Sequence, residues 1–210
     1  MSIREKIRGI KHLQNKYFVC VLENPTDIVN IAAAIRNISA FGVTKLYVVG
    51  ETANFTRNFD LSRTHKNLSK ISVGANKWVF VKHFNTTAEC VLHLRQNLYT
   101  IAVTSPHIKG KKNVCIFEET FTQKRLAVWF GNESKGISDE AVKSADMCIQ
   151  IPMGGIVESL NLGTSTGIIL SYIGYQRWKW LFLNKKVRFR SKGLANIKMK
   201  SWEDFMEPKG

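Results

Sequence analysis

Three short stretches of this 210-residue chain hold polar residues where a hydrophobic core has no use for them. The first is NPTDIVNIAAAIRNISAFG, in which Asn30 and Arg36 stand six residues apart. That separation is close to two turns of about 3.6 residues each, in a helix otherwise written in Ile and Ala. An arginine in such an apolar setting needs an anionic partner, because an unpaired buried charge costs several kcal/mol. The plainer alternative is a surface arginine on an amphipathic helix. The second stretch, VWFGNESKG, sets Asn132 and Glu133 after a buried strand and a glycine. That is the carboxyl edge of a parallel sheet, where open α/β folds bind ligands, although a plain turn reads the same way. The third, IPMGGIVESLNLGTSTG, runs from an apolar strand end through Gly154 and Gly155 to Ser159 and Asn161. It matches neither GxGxxG nor a P-loop. The glycines permit tight backbone geometry, and Ser159 and Asn161 fall at a helix start, where free N–H groups favour anions or simply receive caps.

Strands and helices must bring these stretches together. Apolar runs of strand length recur as YFVCVLE (Tyr17–Glu23), KLYVVG, KWVFVK, YTIAVTS, RLAVWFG and MCIQIPM. Helical patterns lie between them: NIAAAIRNISAFG stopping at Gly42, TAECVLHLRQN, SDEAVKSAD with Ser138 as N-cap and acids in its first turn, and an apolar helix from Ser159 to about Trp180. Continuous apolar strands alternating with helices imply a parallel α/β sheet covered on both faces. The weakly periodic Glu51–Asn76 segment reads as a long functional loop with short helical pieces.

Charge narrows the partner. The chain carries 31 basic against 16 acidic residues, a net +15, which favours a polyanion. No apolar run reaches the roughly 18–20 residues of a spanning helix. The N-terminus lacks a signal-peptide core and reads as a basic amphipathic helix, with Ile3, Ile7, Ile10 and Leu13 on one stripe. Cys20, Cys90, Cys115 and Cys148 stand far apart without a CxxC pair, which points to buried apolar residues in a reducing cytosol rather than to disulfides or a metal site. From Gln176 onward, basic residues interleave with aromatics, a pattern suited to bases and phosphates; packing of Trp178, Trp180, Leu181 and Phe182 on the core or a second subunit is the alternative.

Together the three stretches resemble the signature of the SpoU/TrmH family of RNA ribose methyltransferases, within the SPOUT class. Asn30, Arg36 and Ala40–Gly42 resemble its first motif; Gly131, Glu133, Gly136 and Ser138 its second; Ile151, Pro152, Met153, Gly155, Ser159, Leu160 and Asn161 its third. The resemblance covers roughly Tyr17 to Arg177. It implies a Rossmann-like parallel sheet whose C-terminal part is threaded into a trefoil knot, an obligate homodimer, and S-adenosylmethionine held in a bent shape. By position, Thr104, Gly131, Ile151, Met153 and Leu160 would bind that cofactor. Arg36 would meet the ribose hydroxyl and its phosphate, with Asn30, Glu133, Ser159 and Asn161 orienting Arg36 and the ribose. Because free arginine is a very poor base, with a pKa above about 12, a phosphate oxygen or water is the expected proton acceptor.

The expected organisation is a basic helical extension (1–16), the methyltransferase domain (17–177) and a basic C-terminal extension (178–210). Short basic ends, with no room for a separate N-terminal RNA-binding domain, are similar to the tRNA guanosine 2′-O-methyltransferases that act on the D-loop. Arg57, Arg63, Lys185, Lys186, Arg188 and Arg190 are the candidate RNA contacts, and no metal is expected. A ribosomal RNA methyltransferase, or a non-catalytic RNA-binding or ribosome-assembly factor, are the alternatives. Two departures stand out: Asn37 where the family often has Thr, and a Gly- and Thr-rich NLGTSTG.

Overall fold

The computed structural model describes residues 14–50 and 66–184, the side chains of 181–184 excepted. The helix expected at the N-terminus with its apolar stripe, Arg57, Arg63, Lys185, Lys186, Arg188 and Arg190 lie outside the described residues. Seven strands form one sheet: β1 (Asn15–Glu23), β2 (Val43–Val49), β3 (Phe80–Phe84), β4 (Thr100–Thr104), β5 (Asn113–Cys115), β6 (Leu126–Phe130) and β7 (Met147–Gln150). Their spatial order is β3-β2-β1-β6-β4-β7-β5, and every pairing is parallel. Five α-helices cover them: α1 (Ile28–Ala40), α2 (Lys66–Ile71), α3 (Thr87–Gln96), α4 (Asp139–Ser144) and α5 (Leu162–Asn184).

The two-residue alternation of the strands sorts the core into two layers. Phe18, Cys20 and Leu22 of β1 join Leu46, Val128 and Phe130 beneath Ile31, Ile35 and Ile38 of α1 and Ile169, Leu170 and Ile173 of α5. Val19 and Val21 join Tyr47, Ile101, Val103 and Trp129 beneath Cys90 and Leu94 of α3 and Ala141 of α4. A strand buried on both faces has no polar alternation to show, which is why β1 from Phe18 to Leu22 and all of β6 are apolar. Each fully buried Leu, Ile or Phe contributes roughly 1.5–3 kcal/mol.

The helix α5 packs closely on α1 and is tied down along its length. A Cβ at Gly163 would come 2.9 Å from Ala33 Cβ, and one at Gly174 would come 3.2 Å from the Phe41 carbonyl, so the glycines permit the close approach. Asn37 Nδ2 donates to the Gly163 carbonyl at 2.8 Å and to Thr166 Oγ1 at 3.0 Å, and Gly167 leaves it room. The two departures noted in the sequence are therefore halves of one contact. On its other side, α5 meets the segment 117–124, which returns the chain from edge strand β5 to central β6. Tyr172 donates to the Phe117 carbonyl, Gln176 exchanges bonds with Glu119 and Phe121, and Arg177 donates to the carbonyls of Phe121, Gln123 and Lys124. Arg177 is buried without a carboxylate, and desolvation lowers its pKa to about 10 against a smaller opposing pull from Tyr99.

Three boundaries differ from the sequence reading. The strand expected at KWVFVK is displaced to Phe80–Phe84, because Ala75–Lys77 form a 3₁₀ turn behind Gly74 at φ 74°. β5 was not anticipated: it has three residues, of which Val114 alone is buried, too little for an alternating or continuous apolar signal. The last helix begins at Leu162 rather than Ser159 and continues past Trp180 to Asn184. Within Glu51–Asn76, the described part contains the short helix α2, as the loop reading allowed. Among the described residues no helix is long and apolar enough to cross a membrane, and no cluster of three or more His, Cys, Asp or Glu could hold a metal. Cys20, Cys90 and Cys148 are buried as expected, and burial pushes the Cys20 and Cys90 thiols up.

Candidate functional site

The carboxyl ends of β1, β6, β4 and β7 meet at the edge where the three stretches converge. Glu23 ends β1 at 1% exposure, yet its carboxylate is fully engaged. It accepts from Thr87 Oγ1 at 2.6 Å, Ser138 Oγ at 2.7 Å and Ser138 N–H at 3.0 Å. Thr87 and Ser138 begin α3 and α4, so one acid secures two helix N-termini, where negative charge is favoured. Ser138 also accepts from Ala141 N–H as the N-cap anticipated from sequence. Glu23 itself was missed; the visible signal is an acid closing an apolar strand run.

Beyond β6 the chain folds back on itself. Asn132 and Gly136 exchange backbone hydrogen bonds at 2.9 Å, closing a loop directly over Gly131. A Cβ at Gly131 would lie 2.3 Å from Gly136 C and Ile137 N, so only glycine fits. The loop holds Glu133 near the start of α1. Glu133 Oε1 accepts from Asn30 Nδ2 at 3.1 Å, and Oε2 accepts from Thr26 Oγ1 at 3.1 Å and Thr26 N–H at 3.3 Å. Burial alone would raise the Glu133 pKa. Hydrogen bonds from its own N–H, from Asn30 and from Thr26 outweigh that and hold it below the usual carboxylate range. Thr26, two residues before the α1 helix, was not singled out in the sequence.

Asn161 completes the chain of contacts. Its Nδ2 donates to Asn30 Oδ1 at 2.8 Å while its Oδ1 accepts from Thr164 N–H at 3.2 Å as the cap of α5. The direction of this relay is fixed at both ends. A carboxylate only accepts, so Asn30 must turn its amide N–H toward Glu133 and its oxygen toward Asn161. A helix N–H only donates, so Asn161 must turn its oxygen toward α5. Capping and bridging are thus one role, and three sequence-predicted residues, Asn30, Glu133 and Asn161, are joined by direct bonds.

Arg36 stands apart from them. It is exposed on α1, while Asn30 is 7% exposed, because six residues at about 100° each leave the two on different faces of the helix. The expectation of an arginine in an apolar setting is therefore corrected: Arg36 faces outward, and among the described residues no hydrogen bond or ion pair engages it.

Four of the five predicted cofactor residues gather in one cavity. Thr104, Ile151, Met153 and Leu160 line it together with Ser105, Ile149, Ser165 and Ile169, and Ser159 joins them rather than the amide relay. Gly131 does not line it; it lies beneath the 132–136 loop, and Thr104 Oγ1 donates to the carbonyl of neighbouring Trp129 at 3.1 Å. The cavity measures about 80 Å³, and the chain between its lining residues Met153 and Leu160 is exposed. The lining is apolar with hydroxyl groups, and no charged side chain enters it. That composition is wrong for a pyrophosphate and right for a ligand with an apolar ring and polar edges.

Known proteins agree with this geometry. The profile of the SpoU rRNA methylase family matches residues 17–171. The tRNA (guanosine(18)-2′-O)-methyltransferase of Thermus thermophilus is 28% identical over 176 residues, covering 84% of this chain and 84% of that protein. Among solved structures, the A. aeolicus TrmH/SpoU tRNA modifying enzyme superimposes with a TM-score of 0.69 at 26% identity, covering 97% of this chain and 98% of that one. The SpoU methyltransferase AviRb from Streptomyces viridochromogenes, in complex with AdoMet, shares the fold at a TM-score of 0.65 and 24% identity, over 78% of this chain and 58% of that one. With its amide relay, its glycine-locked loop and a family profile running from β1 into α5, the chain belongs to the SpoU rRNA methylase family.

Proposed function

We propose that this protein transfers the methyl group of S-adenosylmethionine to a ribose 2′-hydroxyl of RNA, with tRNA as the substrate class. The observation that carries the reading is the juxtaposition of an uncharged cavity, lined by Thr104, Ile151, Met153, Ser159 and Leu160, with the relay from Glu133 through Asn30 to Asn161. The cavity's residues fit the cofactor: apolar side chains suit an adenine ring and hydroxyls suit a ribose. Gly154 and Gly155 would have open space around an added Cβ, so chain packing does not require them, and their backbone is left free for a ligand. When bound, the cofactor supplies an electrophilic methyl group.

The chain's own residues then do three things. The relay fixes the start of α5 against α1, and proximity and alignment of bound reactants supply much of such a rate. Arg36, exposed and unpaired among the described residues, clamps the phosphate beside the target ribose and polarises its hydroxyl. The proton passes to a phosphate oxygen or water, because a guanidinium does not accept it. Net charge of +15 attracts the RNA, and Arg57, Arg63, Lys185, Lys186, Arg188 and Arg190 extend the contact.

Two architectural features belong to the same proposal. The wrapping of α5 by residues 117–124 supports a C-terminal knot, since the chain crosses over α5 on its way from β5 to β6. Ile156 and Val157, exposed beside the cavity, support a homodimer in which a second copy covers the site. The divisions 1–16, 17–177 and 178–210 remain the proposed extensions and domain, within a cytoplasmic enzyme.

Calorimetric titration with S-adenosylmethionine tests the reading against a non-catalytic RNA-binding factor. We expect saturable binding near one site per chain, weakened at least tenfold by Met153→Glu, which would place a carboxylate in the uncharged cavity. Absence of binding by the folded protein would remove the enzyme reading.

A further inference from the structure

The opposite, amino edge of the sheet holds a second and larger cavity, of about 320 Å³, on the α3 face. It is floored by the first halves of β1, β2 and β3 and bounded by the last turn of α3, which ends at Gln96. By two-residue alternation, Tyr17, Lys45 and Lys82 project to the same side as buried Val19, Tyr47 and Phe84. Arg125, just before β6, and His93 of α3 close the ends.

We propose that this groove is a second RNA contact, separate from the carboxyl-edge site, taking a phosphodiester together with an adjoining base; the RNA source rests on the function proposed above. Lys45, Lys82 and Arg125 converge on the groove, and among the described residues no acid lines it. The two ion pairs among the described residues are Arg95–Asp146 and Lys112–Glu119, so neither draws on these three cations. Burial followed by repulsion from Lys82 and Lys45 lowers the His93 pKa and so favours its neutral ring, whose Nδ1 accepts from Lys82 Nζ at 3.4 Å. Burial followed by repulsion from Arg125 lowers that of Lys45. Gathered like charges are destabilising until an anion enters between them.

The aromatic component separates a nucleotide from a bare anion. The Tyr17 ring is 46% exposed, and the Arg125 guanidinium lies 5.1 Å from its centroid, held there by donation to the Asn97 carbonyl at 2.7 Å. An open ring backed by a fixed cation offers a stacking face beside a phosphate site, which is how single-stranded RNA is gripped. An acidic peptide would use the cations and leave the ring idle.

The test compares the full chain with Lys45→Gln/Lys82→Gln and with Tyr17→Leu, measuring RNA affinity across a salt series. Thermal unfolding and S-adenosylmethionine titration serve as fold controls. We expect the double variant to bind RNA roughly tenfold more weakly at low salt. Its dependence of log K on log salt should be shallower by about 0.7, the value for one released single-strand phosphate contact. Tyr17→Leu should weaken binding without changing that slope. For both, KM for RNA should rise while kcat at saturating RNA stays the same. Unchanged affinity and slope in a folded double variant would overturn the proposal. So would saturable binding of guanosine 5′-monophosphate that is lost in the variant while RNA affinity is retained, because the ligand would then be a free nucleotide. If the parent chain transfers no methyl group but the variants still lose RNA affinity, the enzyme reading fails and the groove stands.

Discussion

The two edges of the sheet treat polar groups in opposite ways. At the carboxyl edge, Glu23, Glu133, Asn30 and Asn161 are bonded to one another, to helix starts or to Thr26, and the cavity beside them contains no charge. At the amino edge, Lys45, Lys82 and Arg125 share a groove that no acid lines among the described residues. A self-satisfied edge is rigid and can position a reaction, whereas an unsatisfied edge keeps its electrostatic capacity for a partner. Arg36 belongs to the second kind: it is an exposed cation on α1, the helix whose start carries Asn30 of the satisfied site. That position suits a residue whose anion arrives with the substrate.

Removing the exception should have the largest effect. Arg36→Ala is expected to slow methyl transfer by roughly a hundred- to a thousandfold, the scale of losing one transition-state charge contact. Affinity for S-adenosylmethionine, measured by calorimetry, should stay within about twofold. A large loss of cofactor affinity would instead make Arg36 structural. Next comes the loop that positions Glu133. Gly131→Ala forces a methyl group against backbone atoms at 2.3 Å, and thermal unfolding should register a loss of about 3 kcal/mol. Little change would mean that the 132–136 loop yields easily and is no fixed support.

Two smaller effects probe the relay and its foundation. Asn37→Ala leaves buried Thr166 without one of its partners and loosens α1 from α5, for an expected loss of about 2 kcal/mol. Because Asn161 caps the same end of α5, cofactor affinity should fall with it; unchanged affinity would separate that packing from the site. Glu133→Gln puts an amide where both oxygens accept, and should cost about 1 kcal/mol. The pH dependence gives its sign. Folding favours ionised Glu133, so its contribution is present above the ordinary carboxylate pKa of about 4.3 and disappears as pH falls through the lower folded value. The Gln variant should therefore lose less stability than the parent on acidification, and an identical acid profile would remove Glu133 from the relay's energetics.

Much of this was legible in the sequence because the elements that matter are long or chemically marked. β1 and β6 announce themselves as unbroken apolar runs, and Ser138 as a cap is followed by Asp139 and Glu140. The resemblance singled out Ile151, Met153 and Leu160 in the third motif and Thr104 after the fourth strand, and these four share one cavity. What stayed hidden needed three dimensions. β5 is an edge strand with a single buried residue, and nothing local distinguishes it from a turn. Glu23 and Thr26 act through partners 64 and 107 residues away, separations that carry no periodic signal. For Arg36 the residues allowed both an apolar setting and a surface position on an amphipathic helix, and the exposed position is the one observed. Asn37 and the NLGTSTG glycines looked like unrelated departures until their contact was visible.

The most direct measurement is the chemistry itself. Purified protein is incubated with methyl-labelled S-adenosylmethionine and unmodified tRNA, and the product is digested by alkali. We predict one labelled, alkali-resistant dinucleotide carrying the methyl group on a ribose 2′-oxygen, with incorporation approaching one per tRNA. Label on a base nitrogen or carbon, or none on RNA from a protein that binds the cofactor, would contradict the account.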